Sequence, residues 1–189
     1  MSENKPDVVA DETETLEGGR RELSADDGQY STVETISNGE RVLYPRSSRW
    51  HEVAALLLAD GWNMCLDITA VDYLTYPGER SLPAGVVAER YEVVATFISY
   101  VRSERIQARV QVSDANPVLS SLYPVFPGVD YAEREIFDLF GIEFDGHPDL
   151  SRILMPEEWE GHPLRKDYSV GGIPVQFKAP ASTEEATRP

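Results

Sequence analysis

The stretch "RYEVVATFISYVRSERIQARVQV", residues 90–112, decides the architecture. Its first half, 90–101, carries apolar residues on both faces. In its second half, 105–112, Ile106, Ala108, Val110 and Val112 alternate with Gln107, Arg109 and Gln111. Successive side chains of a strand point to opposite faces. The pattern therefore predicts a hairpin turning at Arg102-Ser103-Glu104, its second strand wet on one face and its first strand inside a sheet.

The flanks fit around this hairpin. Upstream, "NMCLDITAVDYLTY" (63–76) reads as a third strand, followed by a Pro/Gly-bearing loop over 77–89. In "PRSSRWHEVAALLLADG", Trp50, Val53, Ala54, Leu57 and Leu58 fall on one helical stripe. Ser47 or Ser48 is placed to cap that helix, and Gly61 to end it. A short strand over 40–44 precedes it. Downstream, 113–128 offers a short capped helix with Pro117 in its first turn, and "VDYAEREIFDLFG" (129–141) a second main helix. Helix, consecutive strands, helix is the order of an α+β fold, a mostly antiparallel sheet packed with two main helices. No Gly-x-Gly-x-x-Gly or Walker-type Gly-Lys-Ser/Thr follows a strand, which argues against a nucleotide fold.

Composition divides the chain further. Residues 1–29 are polar and acidic and read as a disordered tail, residues 30–145 as the α+β core domain, residues 146–170 as an extended irregular C-terminal arm, and residues 171–189, rich in Gly, Pro, Ala and Thr, as a flexible tail. The net charge of −16 over 189 residues argues against a nucleic-acid or anionic-lipid binder. One cysteine, Cys65, leaves no intramolecular disulfide and no Cys-ligated iron–sulfur cluster built from this chain. The acidic N-terminus gives no sign of a secretory or transit leader. The longest apolar run, 53–59, falls far short of the roughly 20 residues that span a bilayer.

The second helix carries carboxylates that invite a catalytic reading. Asp130 and Glu133 are spaced like a capping box. Glu133 and Glu135 point about 160° apart at 100° per residue, so they cannot share one proton. Ala132, Ile136, Leu139 and Phe140 make a buried stripe, and Arg134 and Asp138 an i, i+4 ion pair on the outer face. The spacing gives an amphipathic structural helix.

The arm repeats a motif. "GHPDLSRILMPEEWEGHPLRKDY" (146–168) contains Gly-His-Pro twice, with His147 and His162 fifteen positions apart. Together with Asp149 they form a candidate zinc or non-haem iron set, but each lies in a loop ahead of a proline rather than at helical i, i+4 spacing. No Gly-x-Ser-x-Gly elbow offers a nucleophile, and Cys65 reads as a small core residue. Residues 156–159 form one turn with Pro156 at its start. Leu150, Ile153, Leu154, Met155, Trp159, Leu164 and Tyr168 are strewn along an irregular segment that cannot bury them against itself. They need a surface, supplied by this domain or by a partner. Arg152, Arg165 and Lys166 would add charge-assisted hydrogen bonds there.

These residues carry a resemblance. "EREIFDLFGIEFDGHPDLSRILMPEEWEGHPLRKDY" (133–168) resembles the signature of the C-subunit family of proton-pumping NADH:quinone oxidoreductase, respiratory complex I. The match rests on Glu133-Arg134-Glu135, on Asp138 through Ile142, on both Gly-His-Pro turns and on Leu164-Arg165-Lys166-Asp167-Tyr168. Looser similarity runs back through "LDITAVDYLTYP" and "YEVVATFISY" to about residue 40. Tyr131 stands where the family usually has tryptophan, Ser169 where it has proline, and the 77–89 loop is longer than the family pattern.

The resemblance implies a cofactor-free structural subunit of the peripheral arm, on the cytoplasmic side of a bacterial membrane. Iron–sulfur clusters, FMN and quinone would reside in partner subunits. Its partners would be those that form the quinone pocket and carry the terminal cluster. It also implies a docking or structural motif made of Glu133, Arg134, Glu135, Asp138, His147, Arg152, His162, Arg165, Lys166 and Asp167. An equivalent subunit of a membrane-bound hydrogenase or of a deazaflavin- or ferredoxin-linked relative fits the same residues, and so, from another class, does the free-standing metal enzyme.

Overall fold

A computed structural model describes residues 30–169; the expected N-terminal tail and the expected flexible tail of 171–189 lie outside the described residues. The predicted hairpin is present as β4 (Tyr91–Ser99) and β5 (Glu104–Val112), paired antiparallel with Ala95 opposite Ala108. Ile106, Ala108, Val110 and Val112 are buried, whereas Gln107, Arg109 and Gln111 are half-exposed. The strand of 63–76 is shorter than its apolar run, β3 (Met64–Asp72), and pairs antiparallel with β4.

The strand at 40–44 is β2 (Glu40–Tyr44), preceded by β1 (Val33–Ser37), which the periodicity did not disclose. Its signal was the turn rather than the strand: Asn38 (φ +53°) and Gly39 (φ +80°) form the two-residue loop joining β1 to β2, the strongest short hairpin cue a sequence holds. The sheet order is β1-β2-β5-β4-β3, with β2 and β5 parallel and the rest antiparallel.

The first helix, α1 (Trp50–Ala59), buries Trp50, Val53, Ala54 and Leu57 of the predicted stripe, but Leu58, also assigned to it, is exposed. Its start differs: Ser47–Arg49 form a 3₁₀ turn and no side chain caps α1. The expected helix over 113–128 is instead a strand, β6 (Val118–Ser120), followed by a 3₁₀ turn at Pro127–Val129. β6 pairs in parallel with β7 (Glu143–Asp145), across the second main helix α2 (Asp130–Phe140). A tertiary pairing thus overrides a locally helical start signal.

The helices pack on one face of the sheet, where Trp50, Leu57, Trp62, Phe97, Phe126, Ile136 and Ile142 join one core. A smaller cluster on the other face joins Val33, Val42 and Tyr44 to Leu82 and Val86 of the 77–89 loop. Cys65 lies in the main core as expected, and burial, with Asp67 and Glu133 nearby, pushes its thiol up to about 12.

The outer-face reading of α2 is overturned. Glu133 and Asp138 are both fully buried, more so than Ala132 or Leu139, while Glu135 is exposed. Glu133 is not part of a capping box, because α2 starts after Val129 with no side-chain cap. Asp138 pairs with Arg152 rather than Arg134. Arg134 instead donates to the carbonyl and hydroxyl of Ser151 at 3.1 and 2.8 Å.

A candidate docking site: the arm and its anchors

Two buried carboxylates hold the arm to the domain. Asp138 on α2 receives the backbone N–H groups of Ile153, Leu154 and Met155 on one oxygen at 3.1, 2.8 and 2.9 Å. Its other oxygen takes the Arg152 guanidinium at 2.8 Å. Three consecutive N–H groups converging on one carboxylate fold the chain into a small anion nest. Burial alone would raise this carboxyl, but the N–H groups of Met155 and Leu154, Arg152 and the N–H of Ile153 together hold it below its ordinary value.

The second anchor is Asp72, at the end of β3. It accepts from Arg90 at 3.1 and 2.9 Å, from Leu74 N–H at 2.9 Å and from Lys166 N–H at 2.8 Å. Arg90 continues outward to Asp114 at 3.1 Å and to Asp167 at 2.8 Å. Arg165 reaches Asp114 at 3.1 Å and lies 3.6 Å from Asp167. Arg90 and Arg165 also stand over the Tyr91 ring, 4.8 and 5.5 Å from its centroid, a placement that adds cation–π attraction. Burial pushes the Tyr91 hydroxyl up to about 12. Opposed by its own burial, Asp72 is still held low by Arg90 and the two N–H groups, and Arg90 is the first cause that lowers Asp167.

The two Gly-His-Pro turns answer to one element. The His147 side chain is fully buried. Its Nδ1 accepts from Asp149 N–H at 3.1 Å, so Nε2 carries the proton and faces the Asp130 carbonyl at 3.3 Å. His162 has the opposite assignment, Nδ1–H donating to the Asp138 carbonyl at 2.9 Å. Each ring therefore fastens the arm to one end of α2. The two carbonyls are eight residues apart, about 12 Å along a helix. His147 and His162 do not converge, and among the described residues no group of three or more His, Cys, Asp or Glu is placed to hold a metal ion.

The second turn seats closely. Gly141, left-handed at φ +73°, ends α2, and a Cβ there would lie 2.6 Å from the His162 ring. Leu164 N–H then donates to the Leu139 carbonyl at 3.0 Å. Residues 156–159 form the expected turn, closed from Trp159 N–H to the Pro156 carbonyl at 3.0 Å.

Glu133 plays a separate part inside the domain. It accepts from Ser121 Oγ at 2.6 Å and Leu122 N–H at 2.7 Å, with His147 Nε2 4.0 Å away. Desolvation keeps its pKa raised despite these donors.

The polar groups that anchor the arm are thus paired with the domain. Much of the arm's apolar surface stays exposed. Leu150 packs on the core, but Leu154, Trp159 and Leu164 remain 58%, 41% and 44% exposed, with Tyr131 of α2 at 68%. Of the residues singled out in the sequence, Asp138, His147, Arg152, His162, Arg165, Lys166 and Asp167 take part in this anchoring system. Arg134 joins it through Ser151, whereas Glu135 faces solvent. Asp72, Arg90 and Asp114 were missed. Their one sequence cue was position, at the ends of strands whose apolar runs stop there.

Two solved structures share this α+β fold. A trypsin-resistant fragment (1-134) of Nqo5 gives a TM-score of 0.53 at 35% identity, over 59% of this chain and 83% of that one. A chain of the membrane-bound sulfane sulfur reductase, an archaeal respiratory membrane complex, gives 0.60 over 72% of this chain and 76% of that one. At 18% identity, this second likeness is one of fold alone.

The family follows from the sequence: the model of the respiratory-chain NADH dehydrogenase 30 Kd subunit matches residues 43–174, and the chain belongs to that family. Relatives named as the C subunit of NADH-quinone oxidoreductase agree. That of Salinispora arenicola is 44% identical over 76% of this chain and 56% of its own length, and that of Mycolicibacterium smegmatis 47% over 61% and 44%. That of Roseiflexus sp. is 44% identical over 74% and 75%. The chain spans about half the length of the first two.

Proposed function

We propose that the chain is a cofactor-free structural subunit of the peripheral arm of an NADH–quinone oxidoreductase. It supports electron transfer from NADH, through FMN and iron–sulfur clusters in partner subunits, to quinone, with proton translocation coupled to it. It performs none of these steps itself. Its place is on the cytoplasmic side of the membrane, held there through the complex. Among the described residues no helix is long and apolar enough to cross a membrane.

The observation that carries this reading is the division of labour in residues 146–169. The anchors of the segment are polar and internal, while Leu154, Trp159 and Leu164 point out. Exposed apolar side chains on a segment held in one conformation are suited to a partner, because the ordering cost has been met before contact. Lys166 and Glu135 are exposed and Arg165 is half-exposed, so all three can offer charge to a partner. Such an arrangement presents a ready-made ridge for neighbouring subunits rather than a pocket for chemistry.

Recovery of the tagged full chain from native membranes tests the reading. The expected companions are the subunits that bear the quinone site and the terminal iron–sulfur cluster, with NADH–quinone reductase activity in the same fraction. Recovery of the chain alone, with stoichiometric zinc or iron lost on both His147→Ala and His162→Ala, would establish the metal-enzyme reading instead.

A further inference from the structure

A cavity of about 440 Å³ lies on the side of the domain built by β1, β2 and the 77–89 loop, outside the arm's anchoring system. Its wall is apolar at Val33, Tyr44, Pro45, Val53 and Val86. Its rim is charged: Arg46 and Arg49 stand on the turn leading into α1, and Glu89 on the loop opposite. Arg49 is engaged by Glu52 and by the Ser31 carbonyl. Arg46 has no carboxylate partner among the described residues. Thr32, also in the lining, keeps its Oγ1 buried with no hydrogen-bond partner, a cost that an added donor or acceptor would relieve.

We propose that this cavity is a recognition site for an acidic peptide with one apolar anchor, and that the chain supplies the peptide itself from residues 22–27, "ELSADD". Two observations select this occupant. Ser31, Thr32 and Val33 form part of the cavity, so residues 1–29 join the described chain at its edge. Those residues hold nine acidic and three basic side chains, and the unpaired charge at the mouth is the Arg46 guanidinium. Leu23 is eight residues from Ser31, a reach of about 25 Å when extended, enough to turn back into the cavity. Leu23 fills the apolar wall, and Glu22, Asp26 and Asp27 face Arg46. The pocket's size falls within the range of specific ligand sites, and its rim makes occupancy sensitive to salt.

A nitroxide on Ser24→Cys of the full chain tests this. Cys65 is buried, with its thiol far above neutral pH, and does not compete for the label. The expected result is loss of the Val33, Val53 and Val87 methyl signals, with those of Ile98 and Leu154 intact. Arg46→Glu and Leu23→Ser, each with unchanged melting, should restore the lost signals. Signals that never bleach, or that bleach equally in both variants, would overturn the proposal. So would bleaching of an isotope-labelled chain by a separate nitroxide-bearing copy, which would make the occupant a second molecule.

Discussion

His162 donates Nδ1–H to the backbone carbonyl of Asp138, twenty-four residues earlier, at 2.9 Å. The carboxylate of that same aspartate gathers Arg152 and the N–H groups of 153–155. One residue of α2 thus holds the arm twice, by side chain and by main chain. Asp138→Ala leaves three N–H groups and a largely buried guanidinium without their acceptor. It should cost about 3–5 kcal/mol, the usual price of breaking a buried pair. Amide exchange over 151–164 should accelerate well beyond the rest of the domain.

The pH response separates the anchors from Glu133. Asp138 and Asp72 have folded pKa values below ordinary, so their stabilisation is complete above the unfolded value near 3.9 and is lost as pH falls through the folded one. Glu133 is raised, so its contribution is largest below about 4.3 and is lost as pH rises through its folded value. Urea midpoints across pH should therefore show Glu133→Gln flattening the limb above 4.3. Asp138→Asn should flatten the acid limb instead. A single limb altered by both variants would contradict the assignment.

These two carboxylates also mark what the sequence could and could not disclose. The hairpin of 90–112 and the α1 stripe were legible because their partners are near in sequence or their periodicity is complete. Glu133 read as part of a capping box and Asp138 as an outer-face charge, since nothing on α2 indicates donors arriving from Ser121, Leu122 and 152–155. The 113–128 segment failed for the same reason, as β6 exists only through its pairing with β7. In the arm the residues singled out include both histidines and Arg152, which the structure places in contact with α2. The sequence did not show that the histidines clasp opposite ends of one helix.

Gly141 is required by two independent constraints, its left-handed φ and the His162 ring 2.6 Å from a would-be Cβ. Gly141→Ala should lower stability by about 1–3 kcal/mol. It should also expose the second Gly-His-Pro turn to proteolysis, read as a new early cleavage near 160–165.

Arg90 and Arg165 touch the same aspartates but should behave differently. Arg90 meets the fully buried Asp72, so Arg90→Ala should destabilise the isolated chain by several kcal/mol, on the order of 3–5. Arg165 is more exposed and, besides the Tyr91 ring, meets the half-exposed Asp114 and Asp167, so Arg165→Ala should cost below about 1 kcal/mol in the isolated chain. In the assembled complex it should weaken association and quinone-linked turnover together, by about 2–5 kcal/mol in binding if its partner is desolvated. Thermal melts and recovery of the companions distinguish the two effects.

Polar groups fasten the arm inward, which leaves its apolar side chains free to face other subunits. Changing Leu154, Trp159 and Leu164 together to Ser tests this directly, with recovery of companion subunits from native membranes as the readout. The expected result is a melting temperature like that of the wild type and loss of the companions. A variant that melts normally and still recovers every companion in full yield would contradict it.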